Sequence, residues 1–199
     1  MRMMAGAMLA VLLGAVPTAR AANLIKDGGF EKPPTATGSY IVYDTGQTFE
    51  QWTVVGASGN VATVSGTFTQ NGYSFPAKSG KAWLDLTGVS NTTTGVAQTI
   101  KTVVGTTYDV TFWVGNVDDP GGIFGTTSTV DVYAGSTLLL AATNSKGKGS
   151  TKQVWQKFTT SFVATASTTT LSFINGDPSS DTNNGLDAVS VTPAALAAQ

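Results

Sequence analysis

Apolar and polar positions alternate most clearly in the stretch Tyr108–Val114. Tyr108, Val110, Phe112 and Val114 fall on one face, and Asp109, Thr111 and Trp113 on the other, the period of a half-buried strand. Gly105 and Gly115 punctuate its ends. Trp113 is the anomaly, a large aromatic on the face that otherwise carries Asp and Thr. It reads either as a residue covered by a loop or as a stacking platform for a ligand. The same alternation recurs in Lys81–Thr87, where Ala82, Leu84 and Leu86 point inward and Trp83 and Asp85 outward. It recurs again in Ser128–Tyr133, with Val130 and Val132 inward and Asp131 and Tyr133 outward. Further strands are predicted over 40–43, 49–55, 61–64, 96–103, 136–142, 154–163, 168–174 and 185–191. Phe49, Trp52 and Val54 supply core contacts on one of these, and Leu186, Ala188 and Val189 on the last. Between them lie Gly/Asn/Asp turns, an aromatic loop over 68–75 and an oxygen-rich loop over 175–184. No helical period appears beyond the N-terminus. The pattern predicts an all-β fold, a single antiparallel β-sandwich spanning residues 22–192 as one domain.

The N-terminus changes the picture only in address. Arg2, the short apolar run Ala5–Val16, Pro17 and the small-x-small site Ala19-Arg20-Ala21 read as a signal peptide over residues 1–21. The alternative is an uncleaved anchor helix. The expected mature chain starts at Ala22 or Asn23, is secreted or extracytoplasmic, and has no membrane span after cleavage. Residues 193–199 read as a disordered tail. Charged residues make up 12% of the chain, and loss of Arg2 and Arg20 takes the net charge from −1 to about −3. Without a basic patch, nucleic acid is not an expected partner. The chain has no Cys, which removes disulfides and thiolate metal sites, and no His, which removes the Ser-His-Asp arrangement and the commonest zinc ligand. Glu31 and Glu50 are its two Glu residues. An enzyme would therefore lean on Asp residues such as Asp118 and Asp119, whose spacing shows nothing that would tune them.

Five segments in order carry a resemblance: Asn23-Leu-Ile-Lys-Asp-Gly-Gly-Phe-Glu31, Gln51-Trp-Thr-Val54, Gly80-Lys-Ala-Trp-Leu-Asp-Leu-Thr-Gly88, Tyr108-Asp-Val-Thr-Phe-Trp-Val-Gly-Asn116 and Gly185-Leu-Asp-Ala-Val-Ser-Val191. Together they resemble the choice-of-anchor C family of exported bacterial proteins, which is similar to plant cell-wall proteins with domain of unknown function 642. That resemblance implies a galactose-binding-like jelly roll and an extracytoplasmic, glycan-associated role without implying an activity. It also implies a structural Ca²⁺ held between the first and last strands. Glu31 and Asp187 stand at the matching positions, and Asp27 either joins them or forms an Asx turn. The alternative is that these carboxylates cap turns. Asp177, Ser179, Asp181 and Asn183 alternate loosely like a calcium loop, but they lack the Gly and closing Glu of an EF-hand and read as a solvated loop.

Three aromatics, Trp83, Trp113 and Tyr133, leave the core phase on three strands. Sugar C–H faces stack on such rings while neighbouring polar groups bind hydroxyls. Asp85, Asp131 and Asn116 are placed to supply those groups. The expected function is a secreted, non-catalytic, carbohydrate-binding-module-like protein that associates with cell-wall or extracellular polysaccharide. The alternatives are a structural surface or matrix protein whose aromatics serve protein contacts and, last, an Asp-based hydrolase.

Overall fold

A computed structural model describes residues 22–117 and 124–195. The signal-peptide segment 1–21, the Asp118/Asp119 pair and residues 196–199 of the expected tail lie outside the described residues.

Among the described residues the chain forms β1 (Tyr40–Asp44), β2 (Thr48–Phe49), β3 (Trp52–Gly56), β4 (Asn60–Ser65), β5 (Thr69–Gln70), β6 (Tyr73–Ser74), β7 (Ala82–Asp85), β8 (Thr94–Lys101), β9 (Thr107–Asn116), β10 (Ser128–Ala134), β11 (Thr137–Asn144), β12 (Val154–Val163), β13 (Thr168–Asn175) and β14 (Gly185–Pro193), and no helix. Two six-stranded antiparallel sheets face each other as a jelly-roll β-sandwich. The first sheet runs β1-β4-β7-β14-β9-β12 and the second β11-β10-β13-β8-β3-β2, while β5 and β6 form a separate hairpin. No helix among the described residues is long and apolar enough to cross a membrane.

The principal core lies between the sheets. Tyr108, Val110, Phe112 and Val114 of β9 enter it from one side, and Trp52, Val96, Leu171 and Phe173 from the other. Phe112 meets Phe173 edge-to-face at 5.5 Å, and Phe30 packs on Trp52 at 5.3 Å, within the range aromatic pairs prefer. Trp52 Nε1 donates to the Asp27 carbonyl at 3.0 Å, which ties the N-terminal segment to the core. That segment also runs along β14, where the Leu24 amide donates to the Val191 carbonyl.

The last strand departs from simple alternation. Leu186, Val189 and Val191 are buried, whereas Ala188 is not and has φ 51°. The register against β9 slips between Asp187 and Ser190, a bulge that inserts one residue and moves the inward phase from Ala188 to Val189.

A second apolar cluster covers the outer face of the first sheet. Ala62, Val64, Phe75, Trp83, Val117 and Phe124 form it, and Trp155 packs against it. Register places Trp155 beside Gly115, Gly115 beside Gly185, and Gly185 beside Asp85. A Cβ at Gly115 or Gly185 would stand 2.9 or 3.0 Å from the Trp155 ring. The two glycines therefore let the indole lie across the sheet, where it meets Trp83 edge-on at 6.0 Å.

Candidate functional site

The residues of that outer face also line a cleft of about 370 Å³. Its floor is Tyr40 from β1, Ala62 and Val64 from β4, and Trp83 and Asp85 from β7. Tyr40 pairs with Val64 and Val64 with Trp83, so these three side chains run in one row across three strands. Phe68, Gln70 and Phe75 raise one wall, with Phe124 also on the lining. Asn91, Thr182 and Asn183 belong to the loops that close one end. The wall stands because the β5–β6 hairpin is pinned: the Phe75 amide donates to the Phe68 carbonyl, the Ser74 amide to the Thr151 carbonyl, and the Gln153 amide to the Ser74 carbonyl.

Asp85 supplies the carboxylate among the described lining residues. Its Oδ1 accepts from the Thr87 amide (3.0 Å), the Thr87 hydroxyl (2.7 Å) and the Asn184 amide (3.3 Å). Burial pushes its carboxyl up to about 6 despite those donors.

The six residues expected on one glycan-binding face do not assemble there. Trp83 and Asp85 do meet in the cleft. Trp83 is nonetheless only 2% exposed, because Phe75 stacks on it and its Nε1 donates to the Phe75 carbonyl at 3.0 Å. It is a buried floor rather than an open platform. Trp113 lies on the same outer face, beside Asp187 and Lys157, but Lys78 Nζ sits 4.0 Å from its ring centroid and caps it. Tyr133 and Asp131 belong to β10 in the second sheet and cannot share a face with the two Trp residues. Asn116 is fully buried: its Nδ2 donates to Ser128 Oγ, and its Oδ1 accepts from the Gly147 amide. Its work is to hold a loop. Tyr40, Phe68, Phe75, Phe124 and Asn183 were missed as site residues, although the 68–75 and 175–184 loops stood out by composition.

The expected calcium ligands separate in the same way. Asp27 spends both oxygens on its own turn, accepting from the Glu31 amide (2.9 Å) and the Lys32 amide (3.2 Å) at φ 49°. Both bonds reach past the i+2 amide of an Asx turn and cap the wider 27–32 loop. Glu31 Oε1 accepts from the Lys81 and Ala82 amides, and Asp187 Oδ2 from the Lys78 and Ser79 amides. Both carboxylates thus clasp the 78–82 turn, and a Cβ on Gly29 would contact both. Burial pushes Asp187 up to about 7. Among the described residues no three carboxylate, His or Cys groups converge on a metal. A Glu31/Asp187 pair fits calcium only with carbonyls or water completing the shell.

Fold and cleft together define the class, a jelly-roll β-sandwich with an aromatic-lined cleft on one outer face. Residues 23–192 match the family described as "Protein of unknown function (DUF642)", and the chain belongs to that family. Among solved structures it is similar to the Stig cyclase Fisc from Fischerella sp. TAU, determined in complex with (3Z)-3-(1-methyl-2-pyrrolidinylidene)-3H-indole (21% identity, 89% of this chain and 100% of that one, TM-score 0.57). It is also similar to the CBM22-1-CBM22-2 tandem domain of Paenibacillus barcinonensis Xyn10C (14% identity, 93% and 49%, TM-score 0.52). The CBM22-1 xylan-binding domain of the same protein aligns at TM-score 0.48 (14% identity, 82% and 99%). No curated protein matches the chain.

Proposed function

We propose that the protein is a secreted, non-catalytic module that binds cell-wall or extracellular polysaccharide through the outer-face cleft. The observation that carries this reading is the cleft itself, an aromatic floor and wall with a few polar groups at one end, the composition expected of a sugar-sized site. The shared fold of the CBM22 tandem is compatible with it. The non-catalytic reading rests on chemistry. Glycoside hydrolysis takes two carboxyl groups flanking the bond, and among the described lining residues Asp85 is the only one. A structural Ca²⁺ at Glu31 and Asp187 belongs to the same proposal, as a clamp on the 78–82 turn and not as part of the cleft. Retention of the protein on insoluble polysaccharides, with turnover assayed on whatever glycan retains it, tests the reading. No retention on any glycan, or retention with turnover, contradicts it.

A second reading has one observation in its favour. A lone carboxyl pushed up to about 6 inside an aromatic cleft can deliver a proton to an uncharged organic substrate. Binding of an indole in preference to any sugar would favour this reading.

A further inference from the structure

The closed end of the cleft carries one side-chain donor that the fold does not use up, on Asn183, next to the carboxylate of Asp85. Asn183 is 2% exposed, and its main-chain carbonyl accepts from Ser128 Oγ at 2.7 Å, which fixes the loop in place. Its side-chain Nδ2 is buried with no partner among the described residues, although the residue lines the cleft. Buried donors are normally satisfied, so an orphan at a ligand-sized cleft points to what fills the cleft. Asp85 adjoins it, because the amide of the next residue, Asn184, donates to Asp85 Oδ1. Asn91, at the same end, is spent by contrast: its Nδ2 donates to the Ser179 carbonyl and its Oδ1 accepts from Asn175 Nδ2.

The charge at this end has one sign. Burial raises the carboxyl of Asp177 most, and Asp181 and Asp85 both raise it further, so the acids of this end lie close enough to repel one another. The described lining holds no Lys or Arg to offset it.

We propose that Asn183 and Asp85 form the polar anchor of the cleft, Asn183 Nδ2 donating to a sugar oxygen and Asp85 accepting from a sugar hydroxyl, and that this anchor selects uncharged sugars over uronates. The selection follows from charge. A uronate carboxylate would enter beside Asp85 with no cation to pair with, whereas a hydroxyl serves both as acceptor and as donor. The inference rests on the carbohydrate reading of the cleft.

Isothermal titration at pH 8, where Asp85 is ionised, tests it with xylohexaose, cellohexaose, mannohexaose and hexagalacturonate. At least one neutral hexaose is expected to bind tenfold or more tightly than hexagalacturonate. Asn183→Ala should weaken that neutral binding about tenfold, the scale of one lost hydrogen bond to a ligand. Asp85→Asn keeps the Oδ1 acceptor that holds Thr87 and Asn184, and should narrow the gap between neutral and uronate ligands; this arm stands even if Asn183→Ala fails to fold. Equal affinity for hexagalacturonate, or neutral binding that neither variant changes, overturns the anchor and leaves the carbohydrate reading intact. Binding of no hexaose overturns both.

Discussion

Replacing Trp83 and Trp113 by Ala separates two residues that look equivalent by strand phase. Trp83 is buried, stacked on Phe75, edge-on to Trp155 and hydrogen-bonded to the Phe75 carbonyl. A buried Trp removes roughly 200 Å² from water, which at about 25 cal/mol per Å² is worth roughly 5 kcal/mol. The orphaned Phe75 carbonyl adds about 1 kcal/mol. Partial collapse of the Phe75 and Trp155 rings into the gap recovers part of this, so the expected loss is about 3–5 kcal/mol. Trp113 is half-buried and lies under Lys78. Its removal forfeits a cation–π contact of about 0.5–1 kcal/mol and some packing, about 1–2 kcal/mol in all. Urea unfolding followed by far-ultraviolet circular dichroism reads both. With about 1 kcal/mol shifting the melting temperature by roughly 2–4 °C in a chain of this size, the two variants should melt well apart. Equal losses, or a larger loss for Trp113→Ala, would show that the second apolar cluster does not stabilise the sheet as described.

Other outcomes follow from the carboxylates and the N-terminus. A carboxyl whose folded value is raised keeps a proton that the unfolded chain has already released, so stability falls as pH climbs from the ordinary carboxylate range through the folded value. Burial pushes Asp177 up to about 8, Asp187 to about 7 and Asp85 to about 6. In EDTA the melting temperature should therefore be higher at pH 5 than at pH 8.5, and Asp177→Asn should flatten the slope; a rise with pH refutes it. Calcium should raise the melting temperature at pH 8 by mass action, and Asp187→Asn should abolish the increment; indifference of the unmutated protein to EDTA removes the metal from the account. Intact-mass measurement of the exported protein should give a start at Ala22 or Asn23, and retention of residues 1–21 rules out cleavage.

Strand phase read from sequence located the core well and the site poorly, for one physical reason. Alternation says which face a side chain takes but not what covers that face. The inward set on β9 is buried as the pattern implies. Trp83 does leave the principal core, yet it enters a second cluster built by the preceding loop's Phe75 and by Val117 and Phe124 from beyond β9. Tyr133 obeys the same rule on the other sheet, because strand order is set by long-range pairing that local pattern does not encode. The bulge at Ala188 shows the period failing where one residue takes a positive φ. Asp27 was legible as a turn residue, but its amide donors lie four and five residues on rather than the two of an Asx turn. Asn183 stood out only as part of an oxygen-rich loop and Tyr40 only as a strand residue, since the cleft exists only once β1, β4 and β7 pair and the 182–183 loop closes beside them.

Tyr40 is the exposed aromatic of the cleft floor. It lines the cleft, is 46% exposed and touches Phe68 edge-on, so its truncation leaves the principal core untouched. In a depletion isotherm on the insoluble polysaccharide that retains the protein, Tyr40→Ala should weaken binding by about 1–3 kcal/mol, or roughly 5- to 150-fold, with the melting temperature nearly unchanged. Tyr133→Ala, on the other sheet, should bind as the unmutated protein does. Undiminished binding by Tyr40→Ala, or loss confined to Tyr133→Ala, would contradict the assignment of the cleft as the binding site.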